Sequence, residues 1–154
     1  MHLNYFQMID TISALNSEDG KIEAVANVPL ESTIFEGHFP EYPLLPGVLL
    51  IETMAQASGY LLLARMSFES MPFLVAVSEA KLRTFVEPGT ELNIDARIEH
   101  DGSGFAVTKA EIKSAGKRIC NAQLTFRTMA FPKEELRQEM LKRFDEIYPA
   151  GERS

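Results

Sequence analysis

The stretch GHFPEYPLLPGVLLIETMAQ, residues 37–56, decides how the chain is interpreted. Its first half contains three prolines, which fix φ and remove N–H donors, so Glu31–Pro46 is predicted to be an irregular loop. Its second half predicts a helix that starts at Pro46, as its first residue, and runs to about Met66. Because this helix is apolar on nearly every side, the rest of the chain must wrap around it.

The rest of the chain has the pattern of an antiparallel sheet. Apolar residues alternate along Lys21–Leu30, which predicts a strand. Four more strand-like segments are separated by the turn sequences EPGT, DGSG and SAGK, and we predict an antiparallel meander. A charged amphipathic helix is predicted at Pro132–Tyr148. The four strand-like segments of the meander are residues 72–86, 91–100, 104–115 and 117–129. A buried helix enclosed by a curved antiparallel sheet predicts an α+β architecture.

Charge and composition narrow the class of partner. The chain has 154 residues and a formal net charge of −7, which argues against a general nucleic-acid binder because phosphates would be repelled. Its one cysteine, Cys120, cannot form an internal disulfide. The apolar run Val48–Met66 approaches the length of a membrane span, but it contains Glu52 and Gln56, so a buried helix is favoured. The first ten residues lack a signal-peptide pattern, and we expect a cytoplasmic protein.

Glu52 is the first candidate for chemistry. Gln56 follows it by four residues, so both side chains project from one stripe of the predicted helix. Two interpretations stay open. Among apolar neighbours, a carboxyl group keeps its proton near neutral pH and can act as a general acid. On a solvated edge of the helix, Glu52 would be an ordinary surface side chain bonded to Gln56.

His38 is the second candidate. Most single histidines in loops are surface residues or satisfied hydrogen-bonding groups, and that interpretation is open here. The loop around it is rich in proline, however, and a stiff backbone can aim an imidazole as a base. His2 and His100 have no such setting. No Cys/His cluster predicts a zinc site, and Ser58 and Thr53 fall outside any nucleophile pattern.

The start of the predicted helix is the third candidate. The first turn of a helix has unpaired N–H groups and a partial positive charge. Gly47 lets an atom approach this backbone closely, so the helix start can hold a carbonyl oxygen on which negative charge builds. A base, an acid and an oxyanion site together suit proton abstraction next to a carbonyl, coupled to loss of a β-hydroxyl.

Residues 37–56 closely resemble the signature of bacterial 3-hydroxyacyl-[acyl-carrier-protein] dehydratases of the FabZ type, with a His-Phe-Pro turn, a Pro-Gly-Val-Leu helix start and Glu-x-x-Ala-Gln. Residues 73–92, which contain Val-Glu-Pro-Gly-Thr-Glu-Leu, and residues 8–12 extend the likeness, so that it covers about 5–128. The resemblance implies a hotdog fold in one domain, 1–154, with a helical tail at 131–154. It also implies fatty acid or specialised lipid synthesis.

The resemblance assigns roles to individual residues. His38 would remove the C2 proton of a (3R)-3-hydroxyacyl thioester, and Glu52 would help the 3-hydroxyl leave as water, giving a trans-2-enoyl product. The N–H of Gly47 would bond the thioester oxygen. The carbonyl of Leu44 would fix the tautomer of His38, and Gln56 would orient Glu52. No metal and no organic cofactor is implied.

The resemblance also implies partners. The substrate would be carried by an acyl carrier protein, and each site would lie across a homodimer interface, with three dimers joined into a hexamer. Because carrier proteins are acidic, a basic rim is predicted at Lys81 and Arg83, with Lys109, Lys113 and Arg127 as further candidates. The acyl chain would occupy an apolar tunnel. The residues predicted to line this tunnel are Phe39, Leu45, Val48, Leu49 and Phe85.

Two other functions stay open. A hotdog thioesterase would use Glu52 to activate water and would not need His38. An acyl-binding subunit without activity would need neither residue, so the presence of both argues against it. The tail 131–154 is either an adaptation to a particular carrier or assembly, or a solvated helix. The sequence does not indicate the acyl-chain length, the carrier protein, or whether isomerase activity accompanies dehydration.

Overall fold

A computed structural model describes residues 1–153 and contains one six-stranded antiparallel sheet that packs against a long helix. The predicted α+β architecture is confirmed. The strands are β1 (Thr11–Asn16), β2 (Lys21–Asn27), β3 (Met71–Leu82), β4 (Glu91–Gly102), β5 (Phe105–Ser114) and β6 (Lys117–Met129). The helices are α1 (Thr33–Gly37), α2 (Gly47–Arg65) and α3 (Glu134–Ile147).

The strand order, β1-β2-β4-β5-β6-β3, differs from the predicted meander. Strands β4, β5 and β6 are consecutive neighbours, but β3 lies at the far edge beside β6 and does not pair with β4. The segment 83–90, whose Pro-Gly pair predicts a tight hairpin, instead crosses beneath the start of α2. Arg83 N–H donates to the Ile119 carbonyl of β6 (2.9 Å), and Val28 N–H, beyond β2, donates to the Thr90 carbonyl (2.9 Å). The meander was wrong because buried Val86 anchors this crossing to the core.

Helix α2 is the centre of the core. It contacts β2 to β6, and it is the one helix within residues 1–153 that is long and apolar enough to cross a bilayer, yet most of it is buried in the protein. Its buried hydroxyls are satisfied locally: Thr53 Oγ1 donates to the Leu49 carbonyl (2.6 Å), and Ser58 Oγ accepts from Thr108 (2.8 Å). Neither hydroxyl reaches the surface as a nucleophile.

Strand β3 is an exposed apolar edge. It pairs only with β6, so its outer N–H and C=O groups have no strand partner within residues 1–153. Leu74, Val75, Val77 and Leu82 are all exposed, Val75 by 52%. Natural proteins normally protect such an edge, since it is a template for pairing with another chain.

Helix α3 packs one face onto the core. Phe144, Ile147 and Tyr148 are buried, and the Phe144 ring meets the Phe68 ring edge-on with 5.2 Å between centroids. Arg153 lies over the Phe144 ring at 5.0 Å. Helix α3 is therefore a docked amphipathic helix that is solvated on its outer face.

Candidate active site

Glu52 is held by a hydrogen-bond network that reaches the first residues of the chain. Gln56 Nε2 donates to Glu52 Oε1 (2.9 Å) and to the Phe6 carbonyl (2.8 Å), while Gln56 Oε1 accepts from Met8 N–H (2.8 Å). These partners fix the orientation of the Gln56 amide, because its oxygen only accepts hydrogen bonds and its nitrogen only donates them. The segment 6–8 thus locks Gln56, and Gln56 presents an N–H to the carboxyl group.

His38 follows α1 in a tightly bonded loop. Its Nδ1 lies 3.0 Å from the Leu44 carbonyl, and Leu44 N–H donates back to the His38 carbonyl (2.9 Å). Between them, Phe39 and Tyr42 exchange backbone hydrogen bonds, and the Phe39 ring stacks on the imidazole at 4.0 Å. The His38–Phe39 peptide bond is cis. Because a carbonyl oxygen only accepts, Nδ1 carries the proton in the neutral ring and Nε2 keeps a free lone pair.

The start of α2 leaves donors free. Pro46 is its N-cap residue, and the Leu49 N–H donates to the Pro46 carbonyl (2.9 Å). Because Gly47 is the first residue of the helix, no helical carbonyl precedes it, and its N–H has no partner inside the helix. Leu82, the last residue of β3, lies directly against this turn. A Cβ added at Gly47 would be only 2.5 Å from Leu82 Cδ1, so glycine is what allows the close approach.

A groove of about 400 Å³ lies beside Glu52. Its walls are mostly apolar and come from five parts of the chain: the segment 6–7, α2, the start of β3, Phe126 of β6, and α3. His38 does not line it. The lining residues along α2 are Glu52, Ala55, Gln56, Gly59, Tyr60 and Leu63, and those from α3 are Glu139, Met140 and Arg143. One copy of the chain therefore lines this groove with Glu52 and apolar side chains, but not with His38.

The residues predicted for the tunnel are divided in the structure. Leu45 and Leu49 are buried in the core, whereas Phe39, Val48 and Phe85 are exposed, the last by 74%. None of the five lines the groove beside Glu52. Their part in acyl binding stays a prediction.

The predicted basic rim is exposed at both of its main positions. Lys81 lies on β3, and Arg83 follows the strand and donates to Asn121 Oδ1 (2.8 Å). Lys113 is paired with Glu111 (3.2 Å), which leaves it less available to an acidic partner.

Sequence reasoning missed several groups at the site. The backbone of Phe6 and Met8 carried no signal, since hydrogen bonds made 48 and 50 residues away have no local pattern. The α3 side of the groove was also missed. The apolar positions of that helix predict a buried face, but they do not indicate what the face adjoins.

Two buried groups near the core are not poised for ionisation. Burial raises the pKa of the Tyr60 hydroxyl, and the nearby Arg143 guanidinium opposes that rise only in part. Burial raises the pKa of the Cys120 thiol to about 12, so this cysteine stays a protonated core side chain. No cluster of His, Cys, Asp and Glu suited to a metal ion occurs within residues 1–153.

Comparison with known sequences shows the family of the chain. Residues 1–123 match the family model of the FabA-like domain. The chain is 33% identical over 127 residues to the 3-hydroxyacyl-[acyl-carrier-protein] dehydratase FabZ of Shewanella woodyi, covering 80% of this chain and 82% of that protein. It is 32% identical to the FabZ of Shewanella amazonensis over the same shares.

Solved structures share the fold. AziG of S. sahachiroi superimposes with a TM-score of 0.66 over 85% of this chain and 98% of that one, at 12% identity. A hypothetical thioesterase from Streptococcus pneumoniae, solved with coenzyme A, gives a TM-score of 0.62 at 17% identity, covering 79% and 87% of the two chains. At these identities the likeness concerns the fold alone, and the predicted hotdog fold is confirmed.

Proposed function

The chain belongs to the FabA-like family, and from this premise we propose that it is a 3-hydroxyacyl-[acyl-carrier-protein] dehydratase of fatty acid biosynthesis. The observation that carries the proposal is the pair His38 and Glu52, each held ready by its own hydrogen bonds, in a chain one-third identical to dehydratases. The reaction removes water from a (3R)-3-hydroxyacyl thioester and leaves a trans-2-enoyl thioester.

His38 begins the reaction as the base. Its Nε2 takes the C2 proton, and the Leu44 carbonyl stabilises the imidazolium that forms through Nδ1–H. Negative charge then moves onto the thioester oxygen, which the free N–H of Gly47 bonds at the positive end of α2.

Glu52 completes the reaction as the acid. The electron pair left at C2 forms the C2=C3 double bond, the C3–O bond breaks, and Glu52 gives its proton to the departing hydroxyl so that water leaves. Gln56 aims the carboxyl group through the 2.9 Å bond to Oε1. No step uses a metal or an organic cofactor.

A second copy of the chain supplies the missing base. His38 does not line the groove of its own chain, and β3, whose first residues line that groove, presents an unpaired apolar edge. Pairing of two copies along β3 would cover this edge and bring the His38 of one chain to the Glu52 of the other. We extend the proposal to a homodimer with shared sites, and to a trimer of such dimers.

The carrier protein would dock on the basic rim at Lys81 and Arg83. Both are exposed on or beside β3, and they offer positive charge on a chain whose net charge is −7. The two basic side chains can attract an acidic carrier against the overall negative charge only at short range. Because salt screens the attraction between exposed charges, docking would weaken as the salt concentration rises. The cytoplasm, where such carriers would be met, stays the expected location.

The test uses carrier-bound 3-hydroxyacyl chains and measures two products. Dehydration gives a conjugated enoyl thioester that absorbs in the ultraviolet, whereas a thioesterase would release free thiol. We expect the enoyl product alone, and a rate that falls roughly 10²–10⁴-fold in His38→Ala and in Glu52→Gln. Full activity in either variant, or thiol release without enoyl product, would overturn the proposal.

A further inference from the structure

Helix α3 is not part of the family match, yet it forms a wall of the groove. The FabA-like match ends at residue 123, and α3 begins at Glu134. Three of its side chains, those of Glu139, Met140 and Arg143, line the groove together with Glu52. A segment beyond the matched residues therefore shapes the space next to the proposed acid.

Helix α3 meets α2 beside Tyr60, about two turns beyond Glu52. The Arg143 guanidinium lies near the Tyr60 hydroxyl, and the centroids of the Phe144 and Tyr60 rings are 6.1 Å apart. Tyr60 follows Glu52 by eight residues, which is about 12 Å along a helix axis. A chain whose thioester lies at Glu52 and which runs along α2 would meet α3 at this level.

The wall is firmly fixed. Arg143 Nη2 donates to the Ile9 carbonyl (2.7 Å), and Nη1 pairs with Glu146 (3.3 Å). Phe144, Ile147 and Tyr148 anchor the next turn in the core. Because α3 is tied to both the first segment of the chain and the core, it would not swing aside easily for a longer ligand.

Met140 is the apolar member of this wall. Its neighbours on the groove, Glu139 and Arg143, are charged, and burying an apolar chain end against them would remove their hydration without providing a partner. The half-buried thioether of Met140 is the surface that a terminal methyl group can contact.

We propose that α3 closes the acyl groove and that Met140 sets the longest acyl chain that fits. The identity of the ligand rests on the proposed dehydratase function, but the closure of the groove rests on the α3 contacts. Met140 would thus be a specificity-determining residue contributed from beyond the residues that match the family model.

The experiment compares Met140→Ala, Met140→Phe and the control Leu141→Ala. Leu141 is on the same helix and packs against the core without lining the groove. Each variant is given 3-hydroxyacyl chains of increasing length on carrier protein, and kcat/KM is measured for each. Binding of unreactive saturated acyl-pantetheine thioesters of the same lengths is measured in parallel.

We expect Met140→Ala to raise the ratio of kcat/KM for long chains over short ones by roughly tenfold, since each methylene accommodated changes discrimination by about that factor. Met140→Phe should lower the same ratio, and Leu141→Ala should leave it unchanged. A ratio that is unaltered in both Met140 variants, or altered equally by Leu141→Ala, would overturn the proposal.

The binding series separates this inference from the proposed function. If the wild type does not dehydrate any substrate, but substitution of Met140 changes the longest chain that binds, the role of α3 is supported and the dehydratase function is refuted. If the wild type dehydrates its substrate, but neither Met140 variant changes the longest chain that binds, the function is supported and the role of α3 is refuted.

Discussion

The acid and the base of the proposed site are built in different ways. Glu52 lies on a buried helix, and its partner Gln56 is fixed by backbone groups of the same chain. His38 lies on a loop that is rigid in itself, but nothing in its own chain places it at the groove. In the proposed homodimer, one half of the site is thus completed within a chain, and the other half would come from a second copy.

Mixing two inactive variants tests this difference most strongly. His38→Ala and Glu52→Gln should each be nearly inactive, but when the two chains are refolded together, random pairing puts half of the dimers in the mixed form. Each mixed dimer has one site with both groups intact, so about a quarter of wild-type activity should return. Dehydration of a carrier-bound substrate is the measurement.

The control for mixing is each variant refolded with itself, which should stay inactive. A mixture no more active than its components would show that both groups act within one chain.

A charged residue on β3 should prevent the proposed pairing of two chains and so remove His38 of the second copy from the site. Val77→Lys places an ammonium group on the exposed edge, where pairing with a second strand would bury it. We expect a shift to monomer in analytical ultracentrifugation and a fall in activity of about tenfold or more. The matched variant Val77→Thr keeps the branched shape without the charge and should stay dimeric. A fully active dimer carrying Val77→Lys would place the interface elsewhere.

Changing Gln56 should affect only the half of the site completed within a chain. Gln56→Leu leaves Met8 N–H and the Phe6 carbonyl without their partner and removes the bond to Glu52. Unfolding in urea should show a loss of about 1–3 kcal/mol. The dimer should persist, while kcat should fall by roughly tenfold. Gln123→Leu is the control, because it removes a half-buried amide that bonds Ser78 (3.4 Å) and does not line the groove. An unchanged kcat would mean that Glu52 needs no orientation by Gln56.

The smallest effect is expected from a substitution of Asp95, which lies on the outer face of the sheet, away from both Glu52 and His38. Burial, together with the carboxylates of Glu23 and Glu111, raises the pKa of Asp95. The folded state then binds its proton more tightly than the unfolded state, so this group lowers stability as pH rises through the acid range. Asp95→Asn should therefore raise Tm slightly at pH 7, with a gain that disappears in acid, and activity should not change. A lower Tm at pH 7 would contradict the raised pKa.

The sequence predicted well what depends on local pattern. The prolines before Gly47 and the apolar run after it predicted the start and the burial of α2, and alternation predicted β2, where Ile22, Ala24 and Ala26 are buried. The five-residue helix α1 was missed. It lies in a loop predicted to be irregular, and Ser32, which caps it, carries little signal in so short an element.

What the sequence did not predict depends on distant contacts. The crossing of 83–90 is fixed by bonds to Ile119, Leu45 and Val28, and a Pro-Gly pair gives no indication of them. The same holds for the link from Gln56 to the segment 6–8. Local periodicity determines which elements form, whereas long-range hydrogen bonds determine where the acid and the groove are placed.

In the proposed homodimer, pairing along the β3 edge would tie the rate of catalysis to the amount of protein present. When two polypeptides must associate before either can turn over substrate, dilution below their dissociation constant makes the rate fall with the square of concentration instead of in proportion. A cell making twofold less of this chain in that regime would lose about three-quarters of the flux, and assays run at nanomolar levels would underrate the enzyme.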